Sequence, residues 1–173
     1  MNDLDDVAPA RPTEPETFEG FFEAEYARLA RALYLVTGDP SEAEDVAQEA
    51  MVRVYERWDQ VRAADSPTGY LYSTAMNLYR SRMRRLAVRA RRVVGGPAGA
   101  PDPADAAAAA DEVGRALAAL PASQRAAVVL VEWLGLDDAE AGRILGIEPV
   151  SVRVRLSRAR ATLRMHLMLE DEK

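Results

Sequence analysis

The sequence predicts an all-α protein of two small helical domains joined by a flexible linker. Three observations carry that expectation. Apolar residues recur at three- and four-residue spacing through both halves of the chain, the periodicity of helices with one buried face. Between the halves, residues 93–110 read VVGGPAGAPDPADAAAAA, a glycine, proline and alanine stretch suited to a linker between domains. Residues 137–164 read as two helices joined by a tight turn.

The first half divides as follows. Residues 1–15 are rich in Asp, Pro and Ala without periodicity and predict a mobile acidic tail. From residue 16, Phe18, Phe22, Tyr26, Leu29, Leu33 and Val36 recur at helical spacing and define the core stripe of an amphipathic first helix. Gly38 ends it. Asp39-Pro40-Ser41-Glu42 then combines an N-cap, a proline in the first turn and an acid near the positive end of the helix dipole. The second helix runs to about residue 60, with Ala43, Ala47, Met51, Val54 and Trp58 inward. A second line on it, Asp45, Glu49, Val52 and Glu56, is acidic but interrupted by valine. That line is either a docking surface for another protein or a solvated face. Ser66-Pro67 opens a third helix by the same capping logic. Leu71, Ala75 and Leu78 face its core, with Tyr72, Met76, Tyr79 and Met83 on the adjoining strip. Tyr70, Ser73, Asn77, Arg80 and Arg84 form the other border. An aromatic, a hydroxyl, an amide and two guanidiniums in a row are able to stack on, hydrogen-bond and neutralise a nucleic-acid strand; an ordinary amphipathic border is the alternative.

Past the linker, Val113, Leu117 and Leu120 mark a short helix ended by Pro121. Ser123 is the expected cap of the next, in which Ala127, Val128, Val131 and Leu134 are buried and Trp133 supports the turn that follows. Gly146 suits the left-handed position that closes the first helix of the final pair, and Pro149 the first turn of the second. The result is a helix-turn-helix with a recognition helix over residues 150–165. Val152, Leu156, Ala159 and Leu163 stack on its buried stripe. Val150, Val154 and Ser157 lie opposite, flanked by Arg153 and Arg160 on one side and Arg155 and Arg158 on the other. Cations on both shoulders with a small, partly apolar centre suit the major groove of duplex DNA. Within the preceding helix, Gly142 permits close helix crossing at about 1 kcal/mol of helix propensity. Residues 169–173 form a short acidic tail.

Charge is unevenly divided. The 173 residues carry a net charge of −6, yet residues 80–92 hold seven arginines and residues 153–164 five, both without an acid. The first 62 residues hold 15 acids against six bases. An acidic protein with two basic stripes fits local contact with nucleic acid while a larger carrier supplies most of the affinity. There is no cysteine, which excludes disulfides and thiolate chemistry and is compatible with a reducing cytoplasm. The single histidine, His166, reads as a surface residue near a helix end. No phosphate-binding loop, zinc spacing or nucleophile elbow occurs, so no enzyme, cofactor or metal is expected. No apolar run of membrane-spanning length or signal peptide is present either, and the expected location is the cytoplasm.

In combination, the motifs of residues 18–167 resemble a bacterial RNA polymerase sigma factor of the extracytoplasmic-function type, group IV of the sigma-70 family. The resemblance rests on Thr37-Gly38-Asp39 followed by the SEAEDVAQEA run of residues 41–50, on Tyr70-Leu71-Tyr72 with Asn77, on Ala119-Leu120-Pro121 with Gln124-Arg125, and on the VRVRLSRA run of residues 152–159. It implies a sigma-2-like domain over 16–92, a linker over 93–110 and a sigma-4-like domain over 111–168. It further implies that Asp45, Gln48, Glu49, Val52, Arg53 and Glu56 dock on the β′ clamp helices of core polymerase. By the same implication, Tyr70, Ser73, Asn77, Arg80, Arg84 and Arg85 engage the −10 element, Asn77 at the flipped base. Val150, Ser151, Arg153, Val154, Arg155, Ser157, Arg158 and Arg160 would read the −35 duplex. Implied partners are core polymerase, including its β flap, promoter DNA and an anti-sigma factor as regulator. The alternative is a polymerase-independent helix-turn-helix regulator, against which stands the lack of a heptad dimerisation helix.

Overall fold

The computed structural model describes residues 17–94 and 112–170, and every regular element among them is helical. The expected acidic N-terminal tail, most of the linker and the last three residues lie outside the described residues. Helix α1 (Phe18–Thr37) starts where Thr17 accepts a hydrogen bond from the Gly20 N–H, and stops where Gly38 adopts φ 75°. That left-handed turn brings Asp39 into place as the next cap. Its carboxylate accepts from the Ser41 and Glu42 N–H groups, and Pro40 occupies the first position of α2 (Pro40–Tyr55). The expected continuation to residue 60 is broken: α2 ends at Tyr55 and a separate short α3 (Trp58–Val61) follows. Helix α4 (Pro67–Val94) begins with Ser66 accepting from the Gly69 N–H. It also takes in Val93 and Val94, which the sequence assigned to the linker.

Small residues set the packing here. Ala43, Val46, Ala47, Ala50, Met51 and Val54 give α2 a face that is essentially inaccessible, so α1 and α4 can both approach it closely. From α4, Leu71, Tyr72, Ala75, Met76, Leu78 and Tyr79 are buried, so the adjoining strip is core as much as the stripe itself. The α1 expectation needs correction. Phe21 is buried and Phe22 is exposed. Successive positions on a helix are 100° apart, so only one of the pair enters the core.

The second half comprises α5 (Glu112–Ala118), α6 (Ala122–Val128) running into a π-helical turn over Val129–Trp133, then α7 (Asp138–Leu145) and α8 (Pro149–Glu170). Here too some expectations fail. Pro121, not Ser123, stands at the N-cap of α6 and makes no side-chain bond. The π turn was not foreseen. It rotates the end of this helix so that Val131 is only half-buried and Trp133 is exposed instead of supporting the turn, while Val129, Leu130 and Leu134 are buried. Val128 is also half-buried and Val113 exposed.

The helix-turn-helix forms as expected. Asp137 and Glu140 exchange hydrogen bonds as a capping box, and Gly146 closes α7 at φ 64°. Val152, Leu156 and Ala159 are buried, and Leu163 packs at the edge. Gly142 admits the turn rather than a crossing helix: a Cβ there would lie 2.8 Å from the Ile147 carbonyl oxygen. Replacing Gly142 by alanine therefore forces backbone apart. The expected net loss is about 1–2 kcal/mol, overpacking outweighing the gain in helix propensity. Thermal denaturation followed by circular dichroism should show a lowered midpoint; a midpoint at or above the parent's would contradict this packing.

Candidate nucleic-acid and partner interfaces

Burying one face of α2 among small residues leaves its opposite face to solvent. Asp45, Gln48, Val52, Arg53 and Glu56 are all exposed there, Val52 at 55%, and Glu49 is half-buried. The six sequence-predicted docking residues thus share one surface. Glu49 is its electrostatic centre, receiving Arg53 at 2.8 Å and Arg82 of α4 at 2.7 Å. Arg82 also reaches Glu42 at 3.5 Å and Asp45 at 3.8 Å. The hydrogen bond from Arg82, with help from Arg53, holds the Glu49 carboxyl below its ordinary range, and the same bond raises Arg82. Arg82 was hidden from sequence reasoning inside an arginine run that points all round its helix.

Next to the acidic line lies a groove that the sequence did not single out. Phe18, Phe22 and Tyr26 of α1 face Met51, Val52 and Tyr55 of α2 across an open hollow of about 800 Å³, rimmed by Glu19 and Glu23. Phe22 stacks on Tyr26 at 4.8 Å, and Tyr55, itself 62% exposed, packs edge-on to Phe18 at 4.9 Å. Two adjacent phenylalanines, more than a single stripe can bury, were the signal.

Along the α4 border Asn77 and Arg84 are exposed and Tyr70, Ser73 and Arg80 half-buried, with Arg85 exposed beside them. The Tyr70 hydroxyl accepts from Arg57 at 3.4 Å. Arg80 is turned inward along the helix. It donates to the Asn77 amide oxygen at 2.7 Å and to the carbonyls of Ile144 and Leu145 in the second domain.

On α8, Val150, Val154, Ser157, Arg153, Arg158 and Arg160 are exposed, and Ser151 and Arg155 half-buried. Val150, Ser151, Val154, Arg155 and Arg158 enclose a shallow hollow of about 280 Å³. The two shoulders differ. Arg153 pairs with Asp138 at 3.4 Å and Arg160 with Glu132, whereas Arg155 and Arg158 line the hollow. Among the described residues no acidic or histidine cluster suits a metal ion, and no helix is long and apolar enough to cross a membrane.

A helical domain with an exposed acidic face and a basic border, followed by a capped helix-turn-helix, is the architecture of a DNA-binding protein of the transcription machinery. The comparisons with known proteins agree. Sigma-70 region 2 matches residues 21–102 and Sigma-70, region 4, matches residues 110–163. The chain is 30% identical over 146 residues to the ECF RNA polymerase sigma factor SigM of Mycobacterium tuberculosis, covering 84% of this chain and 74% of the relative. It is also 30% identical over 169 residues to SigL of the same species, covering 93% and 94%. Among solved structures, the sigma factor RpoE of Bartonella quintana, determined with the anti-sigma factor NepR, matches with TM-score 0.72 at 23% identity over 87% of this chain and 96% of that one. CnrH, determined with the cytosolic domain of CnrY, matches with TM-score 0.60 at 23% identity over 88% of each. The chain belongs to the extracytoplasmic-function sigma factors of the sigma-70 family. Such proteins are transcription initiation factors that bind core RNA polymerase and promoter DNA.

The Glu49 cluster has a pH signature. Because the folded carboxyl titrates below its unfolded value, its stabilisation is complete above the ordinary carboxylate range and is lost as pH falls through the lowered value. Glu49→Gln should therefore be less stable at neutral pH by up to about 1 kcal/mol, the range of partly exposed ion pairs. Urea unfolding at descending pH should show that deficit closing in acid; a deficit independent of pH would refute the assignment.

Proposed function

We propose that this sigma factor works through three separate surfaces. The exposed α2 face, Asp45, Gln48, Glu49, Val52, Arg53 and Glu56, docks on the β′ clamp helices of core polymerase, with residues 16–92 acting as the sigma-2 unit. The α4 border, Tyr70, Ser73, Asn77, Arg80, Arg84 and Arg85, engages the −10 element as it melts. Asn77 meets the unstacked base and the arginines hold the backbone. The α8 surface, Val150, Ser151, Arg153, Val154, Arg155, Ser157, Arg158 and Arg160, reads the −35 duplex, with residues 111–168 as the sigma-4 unit and residues 93–110 linking the two. The chain supplies recognition and melting while the polymerase supplies catalysis, in the cytoplasm. The β flap and an anti-sigma factor are further partners to test.

The observation that carries the reading is the separation of faces. Acidic docking residues and basic border residues stand on different helices, α2 and α4, held by one shared core. A regulator that acted on DNA alone would have no use for the acidic face. Melting sets the energetic requirement: extracting a base from the stack costs a few kcal/mol, to be offset by contacts made only in the open state.

Two variants test the assignment. Asn77→Ala should lower open-complex yield about tenfold or more, measured by permanganate reactivity, while binding to core polymerase stays unchanged; equal yield would remove Asn77 from the mechanism. Arg158→Ala should weaken binding to all promoters alike and reduce the salt slope by about one. Loss confined to particular promoters would make Arg158 a base reader instead.

A further inference from the structure

Two arginines of the first domain end on carbonyls at helix C-termini of the second. Arg80 spreads its guanidinium over Ile144 O, at 3.2 Å, and Leu145 O, the last carbonyls of α7. Arg28 of α1 donates to Leu134 O, just past the π turn, at 3.3 Å. Those carbonyls carry the negative end of a helix dipole and lack intrahelical donors, so a guanidinium fork is a fitting partner. Arg80 is fully committed: its Nε donates to Met76 O at 3.3 Å, and one terminal nitrogen also holds the Asn77 amide oxygen.

This geometry is incompatible with a promoter. Here Arg80 of the −10 border lies close enough to Arg155 of the −35 surface for the two charges to interact. On DNA the two elements are about 25 base pairs apart, roughly 85 Å at 3.4 Å per pair. The closed arrangement must open, and the groups it occupies belong to the −10 border. The −35 hollow of Val150, Ser151, Val154, Arg155 and Arg158 stays open to solvent.

We propose that Arg80 and Arg28 form an autoinhibitory latch, which holds the second domain on the first and withholds Arg80 from single-stranded DNA while leaving the duplex-reading hollow of α8 available. The latch rests on the assignment of Asn77 and Arg80 to the −10 element. Its release is built in. Burial disfavours the Arg80 charge in the closed state, and so do Arg84 of the same helix and Arg155 of α8, of which burial and Arg155 are relieved on opening. A phosphate backbone removes that repulsion. Arg80 thereby exchanges carbonyl acceptors for phosphate oxygens.

These 173 residues contain no cysteine, so the chain can be spin-labelled at two introduced cysteines alone. Ala27→Cys and Ser123→Cys place labels at exposed positions of α1 and α6, which pack together. Pulsed electron resonance should give one short distance in the parent. Arg28→Ala should add a broad longer population, and Arg28→Ala with Arg80→Lys a larger one, because a lysine lacks the three separate nitrogens by which Arg80 holds its four acceptors. In the Arg28→Ala chain, affinity for a fluorescent mixed-sequence single strand should rise at least threefold, since the competent fraction scales the apparent affinity. Affinity for a mixed-sequence duplex should change less than twofold. An unchanged distance in both variants would overturn the latch and leave the −10 assignment standing. Opening without a gain in single-strand affinity would overturn its inhibitory role. If no variant bound single strands at all, the −10 assignment would fall and the inhibitory role with it.

Discussion

The structure depends on one helix that is small on one side. Ala43, Ala47 and Ala50 let α2 sit with its axis close to both α1 and α4, and Val46, Met51 and Val54 fill the remaining space. Because that burial consumes only half the circumference, the other half is free to be acidic. Because α4 is pinned to the same helix, its own outer border is presented at a fixed angle to the acidic face. The acidic face and the basic border are thereby separated by geometry and joined by one core. Arg82 strengthens the arrangement from α4, crossing to Glu49 and orienting the carboxylates of the docking face. It is a tie between helices whose acid partner points toward the outside surface.

In the second domain the corresponding constraint is a backbone approach. The carbonyl of Ile147 lies so near α7 that residue 142 has no room for a side chain, and Gly146 turns the chain through the left-handed region. These two glycines set where α8 begins, and hence which residues its buried stripe leaves outside. The acids of neighbouring segments then distinguish the shoulders, Asp138 and Glu132 holding Arg153 and Arg160. Exposed pairs of this kind are worth little, so exchanging them for phosphates costs little. The cross-domain contacts follow from the same turn, since capping α7 at Gly146 leaves carbonyls that Arg80 reaches.

Much of this was legible in the sequence because it is local. The cap at Asp39, stops at Gly38 and Gly146, and the stripe of Val152, Leu156 and Ala159 depend on residues within a turn or two of one another. The acidic line of Asp45, Glu49, Val52 and Glu56 and the α4 border likewise follow from helical spacing, whereas Gln48 and Arg53 entered only through the family resemblance. What was not legible depends on distant partners. Phe22 rather than Phe21 is exposed because the core takes only one of them, and Trp133 is exposed because a π turn shifts the register of its helix. The break after Tyr55 carries no glycine or proline to announce it. Arg82 and Arg28 could not be separated from their neighbouring arginines, since their acceptors lie 33 and 106 residues away.

The central claim is that these surfaces together direct core polymerase to promoters. Multi-round transcription with purified core RNA polymerase over fragmented genomic DNA, with and without the protein, tests it most directly when new RNA 5′ ends are mapped. The account predicts new starts that share sequence elements near −10 and −35. DNA binding by the protein without any new start would contradict it and favour a regulator that acts apart from the polymerase.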